Sequence, residues 1–311
     1  MTVLPPRRRD EPRRGAVVAP TSGTIQRLPA VPAPAVRVRA IEAGQVLVLE
    51  RPPEAFSGLL RRASELVDDA FALEGPAALA HCLPAEVFAA RGRILQRRFA
   101  GDATARDAFW QTASALQMGD GVFRDQLFLR VLPPQASGHG GFPPLHPHRD
   151  TWGSRVMCQE NWWAPVSPVS RLNTLGLYLQ HWQQPVENES DTWSFEDYRA
   201  HRQAAGGQGR SVAYPSAPRA KLPPPAQEAT PLELPVGHLA LFSGAQLHVS
   251  LPNHSGVTRF SVETRTVRLE RGGRLAPGPR NVDTAERPPY LTWFRDRRGT
   301  TLAEALDAYG S

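Results

Sequence analysis

From Gln126 to Val267 the chain is written in short runs of β-forming residues, QLFLRVL, VMCQENWWAPV, TLGLYLQHW, LALFSG and VTRFSVETRTV, separated by breaks rich in Pro and Gly. Strands this short, with turn signals between them instead of helix-length crossovers, exclude a doubly wound parallel sheet and point to a β-sandwich or barrel. Ahead of them the texture differs. Between Glu54 and about residue 118, Ala55, Leu59, Leu60, Ala63, Leu66, Val67 and Ala70 recur at three and four residues, the period of helices that lay one apolar face on something larger.

This divides the 311 residues into a tail over 1–40, a domain over 41–275 and a C-terminal extension over 276–311 packed on it. The domain holds helices over about 54–118 and a barrel over about 124–270. An insertion over about 186–235 carries a capped helix (SDTWSFEDYRAHRQAA), then GGQGR and a proline-rich passage, and belongs at the barrel mouth, where loops set specificity. The tail contains eight Arg against Asp10 and Glu11 and accounts for the whole net charge of +6, so the remainder is neutral. Rich in Pro and Arg and lacking apolar periodicity, it is expected to be a disordered, solvated extension and not a nucleic-acid arm. No segment approaches the ~18 apolar residues of a membrane span. Cys82 and Cys158, without metal spacing, suit reduced thiols, and the expected location is cytoplasmic.

The stretch LHPHRDTWG presents His146, His148 and Asp150 at alternating positions, hence on one face of an extended strand. Three metal motifs fit part of it. A zinc hydrolase pattern HxHxDH takes all three but meets Thr151 where a histidine is required. A cupin pattern fits from Gly140 to His148 and then meets Trp152 and Gly153 where a glutamate is required. An HxD pair, His148 and Asp150, joined by the distant His248, makes two histidines and one carboxylate, the donor set that leaves three positions open on a non-haem iron.

Eleven residues beyond His248, Arg259 and Ser261 stand at i and i+2 of a strand-like run. A dicarboxylic cosubstrate such as 2-oxoglutarate needs a buried bidentate cation and an adjoining hydroxyl, which this pair supplies. Arg265 lies on the same strand face and rivals Arg259.

With these elements in place, residues 120–270 resemble the phytanoyl-CoA dioxygenase-like branch of the Fe(II)/2-oxoglutarate oxygenases. The resemblance is carried by HRDTW at 148–152 and GHLALFSGAQLHVSLPNHSGVTRFS at 237–261. It implies a mainly β fold, a double-stranded β-helix (jelly roll) with supporting N-terminal helices. It also implies His148, Asp150 and His248 as Fe(II) ligands, Arg259 and Ser261 as the 2-oxoglutarate site, and O2 as the oxidant of a small-molecule substrate.

Further candidates come from strand alternation. Gln159, Asn161 and Trp163 share one face, the first two as partners for the cosubstrate and Trp163 for substrate. Gln126 leads a second polar stripe with Phe128 and Arg130. His181 and Trp182 are candidates for the substrate entrance. The competing expectations are a zinc hydrolase using His146, His148 and Asp150, and a jelly-roll binding protein without activity.

Overall fold

The computed structural model describes residues 22–137, 144–205, 215–280 and 282–310. In chain order these form β1 (Thr24–Leu28), α1 (Pro34–Glu42), β2 (Gln45–Leu49), α2 (Glu54–Phe71), α3 (Ala85–Gly101), α4 (Ala103–Ala115), β3 (Val122–Arg124) and β4 (Phe128–Leu132). There follow α5 (Asp150–Ser154), β5 (Glu160–Pro165), β6 (Leu175–Leu177), α6 (Phe195–Ala205), β7 (Thr230–Leu232), β8 (Leu239–Ser243), β9 (His248–Ser250), β10 (Arg259–Glu270), β11 (Arg274–Leu275) and α7 (Leu302–Gly310).

Two sheets result. The larger runs β1-β2-β8-β5-β10-β11, with β3 and β4 on the free side of β10, and the smaller runs β7-β6-β9. All pairings are antiparallel except β1 with β2. The fold is thus sheet-dominated, as expected, with two facing sheets that do not close on each other and helices backing the larger one. β10 is shared between β5 on one side and β3 and β4 on the other.

Period-two alternation sorts the side chains into two cores. Leu47, Leu49, Leu129, Val131, Trp162, Ala164, Leu239, Leu241, Phe260 and Val262 point to the helices. There they meet Phe56, Leu59, Leu60, Ala63, Leu66, Val67 and Phe71, which α2 presents at helical spacing. The intervening residues Val46, Val48, Trp163, Ala240 and Phe242 point the other way and pack on Leu175, Leu177 and Leu232 of the small sheet. Polar residues on that inner face therefore sit between the sheets.

Two expectations are revised. Residues 24–40, read as part of a disordered tail, form β1 and most of α1, while 1–21 lie outside the described residues. Pro34 stands in the first turn of α1, where its missing N–H costs nothing. Arg37 is fully buried, donates to the Leu116 carbonyl at 2.6 Å and lies 3.6 Å from Glu160. The 186–235 insertion also contains β7, a strand of the small sheet. In the C-terminal extension, Phe294 and Leu302 pack on Phe123, Val156 and Val267. Among the described residues no helix is long and apolar enough to cross a membrane.

Candidate metal centre

Where the small sheet ends, His148 and His248 face each other in an isolated antiparallel bridge, each backbone N–H donating to the other's carbonyl at 3.0 Å. Both residues then project to the same side, and their rings come to 4.3 Å between centroids. Asp150 opens the one-turn helix α5 two residues later. Ligand atoms of His148, Asp150 and His248 all lie within 4.8 Å of one another, a spacing that a single metal ion would span. His148 Nδ1 lies 2.7 Å from the His146 carbonyl and His248 Nδ1 2.9 Å from that of Gln246. Donating there fixes both tautomers and leaves each Nε2 lone pair toward Asp150, at 3.8 and 3.6 Å. Burial, then the neighbouring His248, pushes His148 down to about 3, so its ring is neutral and a competent ligand at neutral pH. Burial alone would raise Asp150, but Arg265 foremost and the two imidazoles carry it well below the usual carboxylate range.

Arg265 is the cationic partner of that carboxylate, donating to Asp150 Oδ1 through Nε at 3.0 Å and through its second terminal nitrogen at 2.9 Å. Its other terminal nitrogen reaches Asp125 at 3.2 Å. Asp125, which burial pushes up to about 6, also accepts from the Thr264 hydroxyl and the Arg265 N–H. Farther along the same face of β10, Glu263 pairs with Arg130. Arg259 is 1% exposed and held down to about 10 by burial; it donates to the Asn173 carbonyl at 3.1 Å. Its Nε and the Ser261 Oγ, both buried, find no hydrogen-bond partner among the described residues. The face of β10 thus runs Arg259, Ser261, Glu263, Arg265 toward the cluster, and Arg265 belongs to Asp150, not to a ligand.

The other candidates separate. Asn161 donates to Asp150 Oδ2, and Gln159 donates to the side-chain Oδ1 of Asn161 at 2.9 Å, so this face of β5 serves the Asp150 carboxylate. Trp163 lines the cavity beside the cluster with Leu175, Phe242 and Glu263. Gln126 is exposed, and Asp125 occupies the interior in its place. His146 is exposed and contributes its carbonyl, so the hydrolase pattern lacks one imidazole. His181 and Trp182 lie behind the HxD segment: their carbonyls accept from Arg149, which points away from the two ligands it separates, and the His181 ring pairs with Glu228 at 2.8 Å. Arg265, six residues beyond Arg259, is legible from their shared strand face; Glu263, four beyond it, lies on that face too but was not singled out by the sequence. Nothing in the local sequence singles out Asp125.

No family model matches the chain, and no curated protein matches it. Solved structures similar to it include ThoJ in its apo form, a non-heme monooxygenase, at 12% identity, covering 84% of this chain and 93% of that one, with a TM-score of 0.37. EvdO2 from Micromonospora carbonacea var. aurantiaca complexed with 2-oxoglutarate is 11% identical, over 61% and 68% of the two chains, with a TM-score of 0.37. EctD from S. alaskensis with bound Fe is 18% identical, over 83% and 82%, with a TM-score of 0.37. Likenesses of this degree say nothing about residues or chemistry, which the site's own geometry has to supply.

Proposed function

We propose that this protein is an Fe(II)- and 2-oxoglutarate-dependent oxygenase that hydroxylates an unactivated C–H bond of a small molecule, releasing succinate and CO2. The observation that carries the reading is the convergence of two tautomer-fixed Nε2 atoms and one ionised carboxylate on a single point. Fe(II) held by that donor set would leave positions free for a 2-oxo acid and O2, and would supply the oxidising chemistry that C–H hydroxylation requires.

The chain's own residues divide the remaining work. His148 and His248, oriented through their Nδ1–H donors, and Asp150 hold the ion. Arg265 and Asn161 each occupy one Asp150 oxygen and set the carboxylate's plane. Arg259 Nε and Ser261 Oγ, buried and without acceptors, suit the distal carboxylate of the cosubstrate. Charge supports this assignment. Asp125, Asp150 and Glu263 offset Arg130, Arg259 and Arg265 on the inner face, so a divalent cation together with a dianion enters without leaving net buried charge. Asp150 supplies a carboxylate where a halide would otherwise bind, which favours hydroxylation over halogenation. Trp163 and Phe242 give the adjoining cavity an apolar wall for substrate.

Anaerobic reconstitution with Fe(II) and 2-oxoglutarate is expected to give the weak visible charge-transfer band of a chelated 2-oxo acid. Succinate release on admitting air is the accompanying readout, and it separates an enzyme from a binding protein. Absence of the band in protein shown to hold Fe(II), or its survival in Asp150→Ala and Arg259→Ala, would overturn the reading.

A further inference from the structure

We infer that Asp283, in the C-terminal extension and outside the metal-site motifs, is a positioning residue of the metal centre: through Arg149 and Trp152 it sets where the HxD segment points its two ligands. The inference rests on the metal-site reading above.

Arg149 stands between His148 and Asp150 and projects to the opposite side, where it is 1% exposed. All five of its N–H groups are engaged. Nε donates to Asp283 at 3.0 Å, one terminal nitrogen to the carbonyls of Ala245 and Trp182, and the other to those of His181 at 2.7 Å and Gln184 at 2.9 Å. Ala245 is three residues before His248, so one guanidinium joins the segments that carry all three ligands. Its counter-charge is the Asp283 carboxylate, itself only 4% exposed. The same carboxylate accepts from Trp152 Nε1 at 2.8 Å and from the Val186 N–H at 3.1 Å.

Both anchors bear on α5. A five-residue helix has one turn and no stability of its own, so tertiary contacts determine how Asp150, its first residue, is held. Arg149 precedes that turn and Trp152 lies within it, and the two side chains meet on the two oxygens of Asp283. Neighbouring contacts strap the segment down: the Tyr290 N–H donates to the Ser154 carbonyl at 2.9 Å, and Arg155 donates to the Pro288 carbonyl at 3.1 Å.

The test measures Co(II) binding anaerobically by its d–d absorption in the full-length protein, with the melting temperature of the metal-free form. Asp283→Ala is expected to weaken Co(II) about 10- to 100-fold, the range for removing a group that orients a ligand, and to change the band shape. Asp283→Asn keeps the side-chain size and one acceptor oxygen while removing the charge that partners Arg149 and turning the other oxygen into a donor; it covers the case in which the alanine variant does not fold, and is expected to weaken binding at least severalfold. Leu302→Ala, in the extension's apolar contact with Phe294, is the stability control: it should lower the melting temperature and leave Co(II) affinity unchanged. Wild-type affinity and spectrum in the Asp283 variants, or an equal loss in Leu302→Ala, would overturn the inference. A wild-type protein that binds no Co(II) would instead overturn the metal-site reading.

Discussion

Arg259→Met separates a residue kept for a ligand from one kept for the fold. The Arg259 guanidinium is buried, donates to the Asn173 carbonyl, and among the described residues forms no ion pair, Glu263 being paired with Arg130. Burial holds it at about 10 against 12.5 for an unburied arginine, a difference equivalent to roughly 3 kcal/mol of strain on the charged form. Because the folded pKa is the lower of the two, that cost is present at every pH below about 10. Methionine fills similar volume without charge. The metal-free variant should therefore be at least as stable as wild type, and up to ~3 kcal/mol more stable by urea denaturation monitored by circular dichroism. The same change should weaken 2-oxoglutarate by about 2–5 kcal/mol, measured by titrating the Fe(II)-loaded protein anaerobically, because the charge-assisted pair to its carboxylate is lost. A destabilisation of about 3–5 kcal/mol, the penalty for breaking a satisfied buried ion pair, would refute the reasoning and make Arg259 a structural residue.

Three further outcomes follow from the same geometry. His148→Ala should weaken Co(II) binding by more than the ~100-fold that loss of a ligand-orienting group costs, whereas His146→Ala, which keeps the carbonyl, should leave it within about twofold by calorimetry. His148 takes up its proton in the unfolded chain near 6.5 but in the folded chain only at about 3, so its contribution to stability is present above 6.5 and lost as pH falls through that window. Asp125, pushed up to about 6, acts in the opposite sense between about 4 and 6, so the readout is the difference between metal-free wild type and His148→Gln, which should shrink by up to ~1.4 kcal/mol per pH unit on acidification. Gly44 has φ +86° and an added Cβ would lie 2.7 Å from the Trp182 ring, so Gly44→Ala should cost about 2 kcal/mol or more in denaturant unfolding; an unchanged midpoint would contradict the packing behind Arg149.

What the sequence by itself determined is what depends on neighbours a few residues apart. Period-two alternation assigns Trp162 and Phe260 to one face and Trp163 and Arg259 to the other, and helical spacing shows which side of α2 is buried. HxD, a distant histidine and RxS raised the three ligands and Arg259. Tertiary structure decided the rest. It showed that the sheets stay open, that residues 24–40 add a strand and a helix, and that Arg265 serves Asp150. It also brought Asp125 to Arg265 and Asp283 to Arg149 and Trp152, from 25 positions before Asp150 and 133 after it. The division has a physical cause: backbone geometry fixes which face of its own element a residue occupies. Which carboxylate neutralises a buried guanidinium is settled only when distant segments close around it, and no local pattern records that choice.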